Sequence, residues 1–271
     1  MTKVQDIKHK GFLKLTAFLK EHTPAALAFS GGTDSAFLAY VASQVLPSGT
    51  FMTYTFDTPY MNRVEIDEAR DFCKKYDIPH AVLPLPISKE ILNNPRNRCY
   101  LCKLTLFTTF KKTASRAGMR YFFDGTNTDD LQGFRPGRKA LKKLGIISPI
   151  LESGLGKEEV RLLSKKLKLP TWNKPPNACL LTRLPYSSRI TNELLNRIRN
   201  AETYLRGLGF CQLRVRTHDN LARIEVHPAD MPAMMKKEVR EKIIRHLKKI
   251  GYDFVTIDME GFRSGSYDNV K

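Results

Sequence analysis

Short apolar runs alternate with amphipathic stretches through the first half of the chain, and that alternation sets the expected architecture. Around Gly11–Leu19, Ile7, Phe12, Leu15, Phe18 and Leu19 fall on one side of an amphipathic helix. Ala25–Phe29 reads as a short buried strand, and Ala36–Ala42 as the start of the next helix. Thr50–Phe56 follows as a strand, Asn62–Tyr76 as a helix, Ala81–Leu85 as a strand and Tyr100–Ala114 as a helix. Arg120–Asp124 is a further short strand ending in polar residues, and Val160–Leu167 a later helix preceded by Lys157-Glu158-Glu159. Such βαβ repetition predicts an α/β fold with a doubly wound parallel sheet, helices on its faces and ligands at the carboxyl ends of its strands.

The pattern changes at Leu169–Tyr186, which holds Pro170, Pro175, Pro176 and Pro185 and reads as a domain junction. Beyond it, Thr191–Leu208 opens on a good cap and ends at Gly209. Leu213–Thr217 and Ala222–His227 alternate like strands, the basic helix Lys236–Lys249 follows, and Phe254–Ile257 is a last strand. The order αββαβ predicts a small α+β domain with an antiparallel component. The expected division is therefore 1–170, a junction over 171–186 carrying Cys179, and 187–271.

A chain of 271 residues is long enough for two such domains and a substantial core. No apolar run approaches the length that spans a bilayer, and Gly11–Leu19 is short, carries Lys14 and precedes no small-residue cleavage site. The expectation is a cytoplasmic protein without a membrane partner. A formal net charge of +18 would draw phosphorylated ligands or nucleic acid to the surface. In Lys236–Lys249, however, Val239, Ile243, Leu247 and Ile250 form a core stripe, so its cations read as a solvated face first and a nucleic-acid patch second. Five cysteines in a cytosolic chain argue for metal or redox chemistry over a disulfide framework.

The most informative segment is Phe29-Ser30-Gly31-Gly32-Thr33-Asp34-Ser35. A strand, a Ser/Gly turn and a helix start make an anion site, because main-chain N–H groups and the helix dipole both favour negative charge there. It is no Walker A loop, since no Lys follows the glycines. Ser-Gly-Gly-x-Asp-Ser resembles instead the PP-loop of ATP pyrophosphatases, which cleave ATP between the α- and β-phosphates; the plainer reading is a turn that caps a helix. Asp124-Gly125-Thr126-Asn127-Thr128-Asp129-Asp130 closes a strand at the edge where ATP would lie, so Gly125 and Asp129 join the nucleotide-site candidates. Asp34 and these carboxylates are candidates for Mg²⁺ or pyrophosphate, while Asp129 and Asp130 read equally as helix caps. Arg135 and Arg138 would approach phosphates or rim the cleft.

Cys99-Tyr100-Leu101-Cys102 sits at a helix start, a position that favours thiolates as metal ligands or nucleophiles. With distant Cys179, three thiolates could hold a [4Fe–4S] cluster and leave one iron open. Cys73 reads as core, sharing a helical face with Ala69, Phe72 and Tyr76, and Cys211 has no evident partner. Arg214 and Arg216 alternate with Val215 and so share a strand face, suited to a phosphate; Arg223 and Glu225 repeat the spacing, which suits a salt-bridge ladder as well.

Taken together the chain resembles a LarE-type ATP-dependent sulfur transferase over nearly its whole length. The likeness rests on Ser-Gly-Gly-Thr-Asp-Ser at 30–35, Arg-Cys-Tyr-Leu-Cys-Lys at 98–103, Asp-Gly-Thr-Asn-x-Asp-Asp at 124–130 and Arg-Pro-Gly at 135–137. Trp172-Asn173-Lys174-Pro175, Ala-Cys-Leu-Leu-Thr-Arg-Leu-Pro-Tyr at 178–186, Arg-Val-Arg at 214–216 and Gly-Phe-Arg-Ser-Gly-Ser at 261–266 complete it. The resemblance implies adenylation of a carboxylate of pyridinium-3,5-biscarboxylic acid mononucleotide and its conversion to a thiocarboxylate for the nickel-pincer nucleotide. It implies a PP-loop, Ser30, Gly31, Gly32, Thr33, Asp34 and Ser35, that binds ATP with Mg²⁺, with Ser30 and Asp34 taking part in the chemistry. Arg183, Arg214 and Arg216 would hold the substrate's phosphate. Sulfur would come from Cys179 itself or, matching Cys99, Cys102 and Cys179, through a [4Fe–4S] cluster, and the protein would be a homo-oligomer. The same loop would also serve a tRNA 2-thiolation enzyme or an amide-forming adenylating synthetase; a zinc-bound nucleic-acid module would leave it unexplained.

Overall fold

The computed structural model describes residues 4–131, 136–175 and 178–263. The chain forms two units: Met1–Ser88 with Asn97–Asn177, and Lys89–Arg96 with Ala178–Lys271.

The first unit runs α1 (Lys10–Glu21), β1 (Ala25–Ala28), α2 (Thr33–Val45), β2 (Phe51–Asp57), α3 (Arg63–Lys75), β3 (His80–Pro84), α4 (Arg98–Arg116) and β4 (Tyr121–Phe123). It continues with α5 (Pro136–Lys143), α6 (Pro149–Glu152) and α7 (Lys157–Lys166). The strands pair in the order β3-β2-β1-β4, all parallel. Strand β1 is apolar on both faces because it lies inside this sheet. Ala25 and Leu27 pack on one side with Phe12 and Leu15 of α1, Phe37 of α2, Phe72 of α3 and Leu163 of α7. Ala26 and Ala28 pack on the other with Phe107 and Phe110 of α4 and Leu141 of α5. The chain steps outward from β1 to β3 and then returns to pair β4 on the far side of β1. The carboxyl ends of β1 and β4 therefore flank the point where the winding reverses, the place where such sheets bind ligands.

Element starts follow local chemistry. Asn62 caps α3, its side-chain oxygen accepting from the Val64 N–H at 3.2 Å. Cys73 is 1% exposed in that helix, and burial pushes its thiol up to about 11, as a packing residue requires.

The second unit contains α8 (Asn192–Gly207), β5 (Leu213–His218), β6 (Leu221–Val226), α9 (Met231–Met234), α10 (Lys237–Lys249) and β7 (Phe254–Ile257). Thr191 caps α8 through the Leu194 N–H at 3.2 Å. Strand β6 pairs antiparallel with β5 and parallel with β7, so the antiparallel component is one hairpin. Leu213, Val215, Ala222, Ile224 and Val226 face a core shared with Leu205 of α8 and Leu247 of α10. The 171–186 stretch divides between the units at Asn177 and Ala178. Lys89–Arg96 belongs with the second unit, because the buried Asn94 amide donates to the Leu184 and Pro185 carbonyls at 3.2 and 2.7 Å. Ser187 N–H in turn donates to the Asn94 carbonyl, and Ile190 N–H to that of Leu92.

Two buried carboxylates organise this unit. Glu202, 1% exposed on α8, accepts from Arg183 Nε and Nη2 at 2.7 and 3.0 Å, from Arg206 Nη2 at 2.8 Å and from the Val215 N–H at 3.1 Å. It therefore pairs an N–H of edge strand β5 that would otherwise be buried without an acceptor. Glu225, fully buried on β6, takes Arg216 in the same two-pronged way at 2.9 and 2.8 Å. Burial works against the charge on Glu202, but the Arg183 guanidinium, with Arg206 and Arg214, holds its carboxyl below the usual carboxylate range. Glu202→Gln is expected to destabilise this unit by about 3–5 kcal/mol at neutral pH, because Arg183 would stay buried without its counter-charge. Urea denaturation checks the value. A depressed native pKa gives stability that is complete above the unfolded value and fades as pH falls through the folded one. The wild-type advantage should therefore shrink below about pH 4.

Candidate functional site

The PP-loop candidate lies at the switch point, between the end of β1 and the start of α2. Its hydroxyls and main chain hold one another. Ser30 N–H donates to Ser35 Oγ at 3.3 Å, Gly32 N–H to Ser30 Oγ at 3.4 Å, Ser35 Oγ to the Gly32 carbonyl at 3.2 Å, and the two hydroxyls lie 3.0 Å apart. Gly31 has φ +68°, and a Cβ there would sit 3.2 Å from Ala69 Cβ, so both its conformation and α3 require glycine. Gly32 precedes α2 without a side-chain cap, which leaves the first-turn N–H groups of a 13-residue helix available to an anion.

The segment after β4 packs directly against this loop. A Cβ on Gly125 would lie 3.1 Å from the Ser35 nitrogen, so any larger residue would push the two segments apart by a few tenths of an ångström. Asp124 holds the segment in shape, its oxygens accepting from Thr126 Oγ1 at 2.5 Å and Ser148 Oγ at 2.6 Å. Asn127 and Asp130 exchange bonds: Asp130 N–H donates to Asn127 Oδ1 at 3.2 Å and Asn127 N–H to Asp130 Oδ2 at 3.3 Å. Asp129 accepts from the Lys157 N–H at 2.6 Å. It caps α7, a different helix from the short one that its own position suggested.

Asp34 is the carboxylate with capacity to spare. Its Oδ1 is buried and has no hydrogen-bond partner among the described residues. Burial, the largest influence, pushes its carboxyl above the usual range, and Asp130 adds to this; Asn127, Lys157 and Arg161 pull the other way. An orphaned buried carboxylate oxygen beside unpartnered helix N–H groups fits a phosphate accompanied by Mg²⁺.

A contribution absent from the sequence reading comes from 171–174. Thr33 Oγ1 donates to the Thr171 carbonyl at 2.7 Å, and Lys174 Nζ donates to the Gly31 carbonyl at 2.9 Å while pairing with Glu68 at 2.6 Å. Lys174 lies in one of the motifs that carried the family likeness, yet nothing in its local pattern assigned it to the loop.

Cys99 and Cys102 lie in the first turns of α4, Cys99 exposed and Cys102 partly buried with its Sγ 3.1 Å from the Tyr60 hydroxyl. They belong to the first unit and Cys179, partly buried, to the second. Among the described residues neither unit gathers three His, Cys, Asp or Glu side chains as a metal set. Cys211 is exposed. Arg138 lies on α5, whereas Arg135 and the 264–266 part of the last motif fall outside the described residues.

The three arginines differ sharply. Arg183 also donates through Nη1 to the Ala178 carbonyl and Thr182 Oγ1, both at 2.8 Å, so its guanidinium is largely occupied within the protein. Arg216 is tied to Glu225 and the Thr182 carbonyl. Arg214 shares that face of the hairpin but has no ion-pair partner among the described residues; it donates to the Leu213 carbonyl and lies over the Phe262 ring at 4.9 Å. Burial, with Arg183 and Arg216 nearby and only partly offset by Glu202, lowers it to about 10. Positive charge is in local excess there. Arg183 and Arg216 are thus in buried pairs, and Arg214 carries a charge with no ion-pair partner among the described residues. Sequence spacing could not separate them because Glu202 comes from another element.

No helix among the described residues is long and apolar enough to cross a membrane. The family profile described as "Queuosine biosynthesis protein QueC" matches residues 24–97, which span β1, the loop, α2, β2, α3 and β3. An uncharacterized protein of Synechocystis sp. is 38% identical over 261 residues, 94% of this chain and 96% of that one. Another from Methanocaldococcus jannaschii is 32% identical over 94% of this chain and 98% of its own. The pyridinium-3,5-bisthiocarboxylic acid mononucleotide synthase of Lactiplantibacillus plantarum is 30% identical over 253 residues, 93% of this chain and 91% of that enzyme. With a PP-loop at the switch point of a parallel sheet and similarity along almost the whole of both chains, this protein belongs to the LarE family of ATP-dependent sulfur transferases, built on a PP-loop ATP pyrophosphatase domain.

Proposed function

We propose that the protein adenylates a carboxylate of pyridinium-3,5-biscarboxylic acid mononucleotide, releasing pyrophosphate, and converts it to the thiocarboxylate needed for a nickel-pincer nucleotide. The substrate class is taken from the relative named for its bisthiocarboxylic product. The observation that carries the reading is the PP-loop itself, with free first-turn N–H groups and the unpartnered Asp34 oxygen at one place. A carboxylate is a poor acyl donor because oxide is a poor leaving group. Its oxygen attacks the α-phosphorus, the bond to the bridging oxygen breaks, and pyrophosphate departs. The N–H groups of the loop and the Ser30, Thr33 and Ser35 region hold that pyrophosphate by position and charge. Asp34 would hold Mg²⁺, which would offset charge on the phosphates. A sulfur nucleophile then bonds to the acyl carbon and AMP leaves with its electron pair.

Cys99, Cys102 and Cys179 are the residues for a [4Fe–4S] cluster, which would supply a labile sulfide; the Cys179 thiolate is the other donor. In that case the thioester it forms loses the cysteine α-proton, the Cβ–Sγ bond breaks, and the thiocarboxylate leaves dehydroalanine in the chain. Two thiols at one helix start support the cluster, since the helix N-terminus favours their ionised form. Arg214 anchors the substrate phosphate, with Arg183 and Arg216 behind it.

Three outcomes are expected. Asp34→Asn should lower substrate-dependent conversion of ATP to AMP and pyrophosphate by about a hundredfold or more, the scale of losing a positioned charge at such a centre; pyrophosphate release assays report it, and full activity would remove Asp34 from the site. Arg214→Ala should raise KM for the phosphorylated substrate by about ten- to a hundredfold, with ATP affinity retained. After anaerobic reconstitution the protein should hold roughly four irons per chain with acid-labile sulfide, and Cys99→Ser should lose them. Iron-free protein that still transfers sulfur would assign delivery to Cys179.

A further inference from the structure

The loop lacks the lysine that a Walker A motif places among its own residues, yet pyrophosphate leaves with several negative charges. We propose that Lys174 supplies this missing cation from the far end of the unit and binds the pyrophosphate end of ATP. The inference rests on the nucleotide reading of the PP-loop.

Lys174 Nζ reaches the Gly31 carbonyl at 2.9 Å, so its charge sits at the rim of the loop rather than in solvent. An ammonium carries three N–H donors. One goes to Gly31 and one to Glu68 Oε2 at 2.6 Å, which leaves one for a ligand. The two partners hold it unequally. Glu68 lies on the outer surface of α3 with its side chain 52% exposed, whereas that of Lys174 is 21% exposed. An exposed ion pair is weak, and a multiply charged phosphate competes with it well. The backbone of the same segment is pinned to the loop through Thr33 Oγ1 and the Thr171 carbonyl at 2.7 Å. Exchange of Glu68 for phosphate therefore needs a side-chain rotation and no movement of the main chain. Glu68 parks the cation while the loop is empty and keeps Lys174 pointed at Gly31.

Calorimetry with inorganic pyrophosphate and, separately, AMP tests this on the full chain with Mg²⁺. Lys174→Met keeps the aliphatic stem and removes the charge. It is expected to weaken pyrophosphate binding by about ten- to a hundredfold, leave AMP binding within about twofold, and be partly rescued by Lys174→Arg. Glu68→Gln is expected to bind pyrophosphate at least as tightly as the wild type, because it removes a competitor. If Lys174 were only a strut for the loop, Lys174→Met would weaken AMP and pyrophosphate alike and Glu68→Gln would weaken pyrophosphate too; either result overturns the proposal. Unchanged pyrophosphate binding in Lys174→Met also overturns it. Failure of the wild type to bind pyrophosphate or ATP would instead refute the nucleotide reading, a separate result.

Discussion

Everything in the first unit depends on a group of main-chain N–H donors that the helix itself cannot satisfy. They belong to the first turn of α2, where the backbone enters from β1 through Gly31 and Gly32 without a side-chain cap. Such donors attract anions wherever they occur, but here the sheet also reverses its winding beside them. The surroundings then keep the loop open in one shape. Hydroxyls of Ser30 and Ser35 brace it from within, Ala69 fixes the close approach of Gly31, and the Asp124 segment packs on it through Gly125. The residues 171–174 hold it from outside through Thr33 and Lys174. Preorganisation of this kind lets fixed dipoles meet developing charge without reorganising at the moment of reaction.

The second unit handles charge by a different rule. Its buried carboxylates Glu202 and Glu225 neutralise Arg183 and Arg216, and those pairs knit the 178–183 segment to α8, β5 and β6. Removing a single member of such a pair is costly because the survivor stays buried and charged. Among the described residues Arg214 stands with these cations and has no ion-pair partner of its own, so its surroundings favour an anion. The Arg–Glu pairs contribute nothing to the +18 net charge of the chain, which comes from cations other than those the buried carboxylates hold.

Much of this was readable from the residues. Alternation of apolar runs and amphipathic stretches placed the strands and long helices to within a few residues, because burial on both faces of β1 and one-sided burial of α1 and α3 leave strong periodic traces. Cys73 was legible as core for the same reason. The boundary between units was less so: Lys89–Arg96 joins the second through the buried Asn94 side chain and two main-chain hydrogen bonds, which leave no periodic signature. Asp129 illustrates a second kind of limit. Its sequence position suggested a nucleotide ligand or a local cap, and the helix it caps is the distant α7.

By itself the sequence determined the α/β order, the anion-binding loop with its need for glycine, and the family, since these depend on neighbouring residues or on ordered motifs. Only the tertiary structure decided which charged groups remain free to act. Lys174 meets a loop 143 residues earlier. Glu202 takes Arg183 from another segment, and Asp34 keeps one oxygen without a partner among the described residues. Whether a charge is neutralised or available depends on distances of about 3 Å between elements far apart in the chain, and no local pattern encodes them.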